Sequence, residues 1–150
     1  MNTQIPKLVA TVALTLASAA ALAQATPAGL WRTIDDDGKT EKSLVRITDN
    51  AGTFSGKVEK IANPARQDAR CDDCTDARKG QPVLGMTILQ GVKASTSEAG
   101  LWDSGEILDP NNGKTYKVRM KVINDGKALE LRAYIGMPLL GRTQTWQRVE

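Results

Sequence analysis

Few residues in this chain carry obvious chemistry, and the first two stand together. Cys71 and Cys74 lie three apart in "ARCDDCTDARKG", in a chain with no other cysteine. Such a pair can serve as a redox couple, as half of a metal site or as a local disulfide. Thioredoxin-like chemistry needs the first cysteine at a helix N-terminus in a strand-helix-strand unit, where the helix dipole lowers the thiol pKa. Nothing around Cys71 reads as helix or strand. Zinc needs four thiolate or imidazole ligands, and this chain supplies two. Asp68, Asp72, Asp73 and Asp76 cluster nearby, but Arg66, Arg70, Arg78 and Lys79 balance them and the spacing matches no calcium loop. A disulfide that fixes the shape of the loop is the reading favoured, with the redox pair and the metal half-site standing behind it as alternatives.

The chain contains no histidine. That removes Ser-His-Asp and Cys-His catalysis and every histidine-ligated zinc or copper site. Neither a serine-nucleophile elbow nor a carboxylate pair is evident. The sequence is therefore read as non-enzymatic, with no cofactor and no metal.

Two segments instead place aromatic and polar groups on one side of an alternating pattern. Arg142, Gln144, Trp146 and Arg148 share one side near the C-terminus, and Trp102, Ser104 and Glu106 share one further upstream. If both sides face inward, Glu106, Arg142 and Gln144 stand among the rings of Trp102, Trp146 and Tyr116. An apolar wall carrying a few polar groups is what a small-ligand pocket requires. With Trp31 these residues form the candidate binding set for a small amphipathic ligand. The bland alternative is an arginine stacked on a tryptophan as ordinary packing. Asp109, in "LDPNNGK", reads as turn chemistry, the alternative being that Lys114 and Tyr116 just beyond it form the rim of a site.

Positioning these side chains falls to short strands. Gly, Asn and Asp turn signals recur every ten or so residues between segments rich in Val, Ile, Leu, Thr and Trp. In "KTYKVRMKVI", Tyr116, Val118, Met120 and Val122 alternate with Lys117, Arg119 and Lys121, so one face is buried and one wet. "NDG" at 124–126 then turns the chain into "KALELRAYI", whose Glu130 and Arg132 can pair with the basic face of the preceding strand. The same reading gives strands over 28–34, 42–48, 53–61, 85–92, 100–108, 114–123, 127–135 and 141–149. Eight antiparallel strands make a sandwich or a closed up-and-down barrel, and sequential hairpins favour the barrel because closure removes the edges. The long connection from 62 to 83 is the exception to short turns, and it contains both cysteines.

At the N-terminus, Lys7 precedes an uncharged run that closes on Ala21-Leu22-Ala23, the order of a cleaved signal peptide, so the chain divides into a signal at 1–23 and a single domain at 24–150. Losing Lys7 reduces 20 basic residues to 19 against 17 acidic, too even a balance for a nucleic-acid partner. No later segment is long and apolar enough to span a bilayer. The expectation is an exported, soluble protein in an oxidising compartment.

Four stretches together resemble an exported bacterial family, the domain of unknown function 2147: "GLWRT", "CDDCTDARKGQPVLGM", "GEILDPNNGKTYKV" and "YIGMPLLGRTQTWQRV". They fall in the same order over nearly all of the chain after the signal. The resemblance implies a periplasmic protein of a Gram-negative bacterium and a lipocalin-like β-barrel, and it brings no assigned activity and no catalytic residues. "GLW" also looks like the Gly-x-Trp signature of lipocalins, in which the tryptophan packs under an arginine from the last strand. Trp31 and either Arg142 or Arg148 would take those roles. The function expected is a ligand-binding barrel, the alternative a structural or interaction module of the cell envelope using the stapled loop or the outer face of Lys117, Arg119 and Lys121.

Overall fold

The computed structural model describes residues 25–150, so the segment expected to be a signal peptide lies outside the described residues. Period-two patterning becomes eight strands: β1 (Gly29–Ile34), β2 (Glu41–Asn50), β3 (Thr53–Ile61), β4 (Thr87–Ala94), β5 (Leu101–Asp109), β6 (Lys114–Ile123), β7 (Ala128–Tyr134) and β8 (Arg142–Arg148). Each pairs antiparallel with the next, and β1 pairs with β8 through Trp31 opposite Arg148 and Arg32 opposite Gln147, closing the barrel. Among the described residues the only helical pieces are two 3-10 turns, Pro64–Arg66 and Pro138–Leu140.

β6 shows how the sequence builds the wall. Val118 and Met120 are buried in the core, Tyr116 and Val122 pack against it, and Lys117, Arg119 and Lys121 face out. The turn into β7 places Asn124 and Asp125 at positive φ, which Asn and Asp tolerate better than other side chains. Glu130 lies opposite Lys121 as expected, but the Lys121 ammonium bonds Glu98 at 2.6 Å. Arg132 lies opposite Arg119, so its expected partner is a like charge and its guanidinium turns to the β7–β8 connection instead.

Alternating connections put the barrel's two ends to different uses. At one end, Trp31 is fully buried and the guanidinium carbon of Arg148 sits 4.1 Å from its ring centroid. Arg148 donates to the carbonyls of Thr26 and Ala28 at 2.7 Å and to that of Gly126, and burial lowers its pKa. Gly29, at φ 144°, leaves the space for this arrangement, since a Cβ there would fall 2.5 Å from Arg148 Nη1. Arg148, and not Arg142, therefore stacks on Trp31. The connections β1–β2, β3–β4, β5–β6 and β7–β8 gather at the opposite, open end.

Two expectations need correction. The strand read over 85–92 starts at Thr87, because Val83–Met86 forms a turn with Gly85 at φ 84°. More consequential is a bulge in β5. Trp102 pairs with Met120 and Gly105 with Val118, so Asp103 and Ser104 of β5 face the single Arg119 of β6, with Ser104 at φ 64°. The extra residue reverses the alternation. Gly105 and Ile107 are buried, and Glu106 is exposed on the outer surface opposite Lys117, not in the lumen.

Cys71 and Cys74 form a disulfide, with Cα atoms 5.3 Å apart, and both are buried. Around it, residues 62–86 fold back on themselves through Cys71 N–H to Gln81 O, Gly80 N–H to Cys71 O and Val83 N–H to Ala69 O, at 2.8–3.0 Å. Side chains add to this: Arg78 pairs with Asp76 at 2.6 Å, Arg70 donates to Gly80 O and Lys79 to Asp72 O. A Cβ on Gly113 would lie 2.0 Å from Asp73 O, so the stapled loop rests directly on the β5–β6 turn.

Candidate functional site

The open end leads into a cavity of about 590 Å³. β8 crosses it from rim to floor on a single inward face. Arg142 stands half-exposed at the rim, Gln144 is half-buried below it, and Trp146 is buried at 2% exposure. Ile88 of β4, Ile107 of β5 and Leu131 of β7 supply further apolar wall, and Val83 of the stapled loop adds a side. The disulfide thus serves the site indirectly, by holding a segment that lines it.

Polar groups at the mouth form one connected series. Trp146 Nε1 donates to Gln144 Oε1 at 3.3 Å, and Gln144 Nε2 donates to Asp36 Oδ1 at 2.9 Å. Asp36 Oδ2 accepts from Arg142 Nη1 at 3.2 Å, and Asp109 Oδ2 accepts from Arg142 Nη2 at 3.1 Å. Asn112 Nδ2 lies 3.3 Å from Asp109 Oδ2 and 3.2 Å from Tyr116 Oη, to which it donates. The Arg142 guanidinium carbon is 5.8 Å from the Tyr116 ring centroid. One cation is therefore held between two carboxylates contributed by different turns. Both ion pairs are partly exposed, so each contributes little to stability and either can exchange with a visitor's polar group.

Local chemistry explains which aspartates are available. In the β1–β2 turn, Asp37 accepts from the Lys39 and Thr40 backbone N–H groups at 2.8 Å and from the Thr40 hydroxyl, which lowers its pKa first among the causes. Asp37 builds the turn and Asp36 is left to reach Arg142. Asp109 does both jobs. Its Oδ1 accepts from Asn111 N–H at 3.0 Å, the turn chemistry read from the sequence, while its Oδ2 holds Arg142.

Of the candidate set, Tyr116, Arg142, Gln144 and Trp146 line the cavity together. Trp31 belongs to the closed end under Arg148. Trp102 is buried in the core, its ring edge-on to Phe54 with centroids 6.5 Å apart, and does not line the cavity. Glu106 is removed from the site by the β5 bulge. Asp36 and Asp109 were not anticipated as site residues. Nothing in "IDDDGK" separates the three aspartates, and the signal at Asp109 in "LDPNNGK" is one for a turn. Among the described residues, no group of three or more Cys, Asp or Glu side chains is placed to hold a metal ion.

Comparison with known proteins agrees with this architecture. A family model described as an uncharacterized protein conserved in bacteria, DUF2147, matches residues 29–148. No curated protein sequence matches the chain. Among solved structures, protein HP1028 from Helicobacter pylori, described as belonging to the lipocalin family, superposes with a TM-score of 0.69 at 19% identity, over 82% of each chain. At that identity the likeness is one of fold.

Proposed function

The chain belongs to the bacterial family DUF2147, and on that premise we propose that it is a non-catalytic binding protein of the periplasm that takes a small amphipathic molecule into the open end of its barrel. The observation that carries this reading is the cavity itself. Its volume of about 590 Å³ falls within the range of ligand sites, roughly 300–1,000 Å³, and it is apolar at depth and polar at the rim. Eight-stranded barrels are either filled by side chains or hold one small ligand, and the space above Trp146 favours the second arrangement. Because Arg142 is already flanked by Asp36 and Asp109, the rim suits a head group with both donors and acceptors better than a bare anion.

Trp146 is the only one of the three tryptophans that lines the cavity, so it reports occupancy. Native mass spectrometry of protein recovered from the periplasm should show a retained small molecule. Adding that molecule back to stripped protein should shift the emission of wild type and not of Trp146→Phe. A protein recovered without adduct, whose emission no amphipathic alcohol, amine or acid alters, would remove the proposal.

A further inference from the structure

The β7–β8 connection exposes a run of large apolar side chains beside the cavity mouth. Ile135, Met137, Leu139 and Leu140 are 64%, 61%, 82% and 79% exposed, within six residues. Soluble proteins seldom leave such groups side by side in water unless something covers them. Nor is this a loose segment. Pro138–Leu140 is a 3-10 turn closed by Gly141 N–H to Pro138 O at 3.2 Å, and Arg132 braces it by donating to Pro138 O and to Leu139 O at 3.1 Å. The backbone is fixed so that the leucines point away from the barrel.

The charge behind this tip is what identifies its occupant. Arg132 donates also to the Thr143 hydroxyl at 2.7 Å, so all of its partners are neutral and its positive charge is uncompensated. Lys117 on the outer face of β6 lies opposite Tyr134, the residue that leads into the tip, and Arg119 lies opposite Arg132. Among the described residues neither Lys117 nor Arg119 makes an ion pair; of the acids on this face, Glu106 lies opposite Lys117, Asp103 lies opposite Lys93 in the β5 bulge, and Glu98 and Glu130 stand by Lys121, further from the tip. The two β6–β7 pairs nearest the tip, Lys117 with Tyr134 and Arg119 with Arg132, thus carry three cations and no carboxylate directly behind four exposed apolar side chains. An apolar wedge backed by cations matches the hydrocarbon boundary and the anionic head groups of a lipid bilayer, in that order of depth.

We propose that the Ile135–Leu140 connection inserts into the interface of an anionic membrane, with Lys117, Arg119 and Arg132 resting on lipid phosphates. Docked in this way the barrel turns its open end toward the bilayer surface, since the tip belongs to the rim. The outer face of β6, read from the sequence as a contact for an envelope protein, then meets lipid.

The test is flotation of the full protein with vesicles of phosphatidylethanolamine and phosphatidylglycerol, and with vesicles of phosphatidylcholine alone. Wild type should float with the anionic vesicles and much less with the neutral ones. Leu139→Ser/Leu140→Ser should weaken binding at least about tenfold, because two leucines lose most of their transfer energy. Lys117→Ala should weaken it roughly fivefold, the value of about 1 kcal/mol for one cation at an anionic surface. Both variants change exposed side chains, and an unchanged melting temperature shows that they fold. Wild type that stays with the soluble fraction, or a serine variant that floats equally well, would overturn the proposal. So would a wild-type dimer in solution that the serine variant dissolves, since a second copy would then cover the tip. Occupancy of the cavity is read separately by Trp146 emission, so failure here does not touch the ligand reading.

Discussion

Arg142 and Arg148 lie on the same face of one strand, yet their replacement should differ severalfold in its effect. In Arg148→Met the apolar stem is kept, while the stack on Trp31 at 4.1 Å and the bonds to Thr26, Ala28 and Gly126 carbonyls are lost. Bonds from a charged donor contribute about 1.5–3 kcal/mol each and a partly desolvated cation over a tryptophan about 1–2 kcal/mol. Of the three carbonyls, that of Thr26 is exposed and rehydrates, whereas those of Ala28 and Gly126 are part-buried. Burial of the guanidinium, which lowers its pKa, offsets part of the gain. The net cost should be about 3 kcal/mol, a large share of the roughly 5–15 kcal/mol that holds a domain of this size folded. Arg142→Met breaks two ion pairs that are partly in water and should cost no more than about 1 kcal/mol. Urea unfolding of the two variants beside wild type measures the difference, with the slope against denaturant unchanged if only stability has moved. Equal costs for the two arginines, or an Arg148→Met variant within 1 kcal/mol of wild type, would refute the reasoning.

Changing both Cys71 and Cys74 to serine should lower stability by at most about 2 kcal/mol, since the ring closed by the disulfide is small, and should leave the far-ultraviolet β signal intact; loss of that signal would show that the loop folds the barrel and does not merely line it. The melting temperature should be flat from about pH 5 to 8 and fall below about pH 4. Asp37 bonded by Thr40, Glu59 by Arg46, Asp76 by Arg78 and Glu98 by Lys121 all have lowered pKa values, that of Asp76 to about 2. Depressed carboxylates stabilise the fold above their unfolded pKa and cease to do so as pH falls through the folded values, and with no histidine in the chain nothing titrates strongly between. A pronounced step in melting temperature near pH 6 would contradict this.

Period-two alternation made most of the barrel legible. All eight strands were placed within two residues at each end from turn residues and apolar spacing alone, because each strand has one wet face and one dry one. The failures occur where backbone geometry overrides that rule. A bulge at Ser104 is invisible to side-chain hydrophobicity, and it moved Glu106 from the lumen to the surface. Gly105 within the same strand was the available hint, since glycine inside a strand often marks a bulge or a close backbone approach, and a Cβ there would lie 2.3 Å from Val92 Cγ2. The site was half legible for a related reason. Arg142, Gln144 and Trp146 share a strand and so share a face, but their partners Asp36 and Asp109 reach them from turns more than 30 residues away, which no local pattern encodes.

Barrel closure also sets the order of events in folding. The contacts that seal it join β1 to β8, and the Arg148 bond to Ala28 spans 120 positions. Until β8 is in place, β1 and β7 are open edges, each able to recruit a strand from another molecule. The chain cannot shorten this exposure by folding its first half early, because no subset of seven strands closes. Closure thus waits until β8 is available, at the rate that long-range pairing permits, in the range of milliseconds to seconds. The same clasp that seals the floor of the barrel acts as the step that commits the chain to its fold.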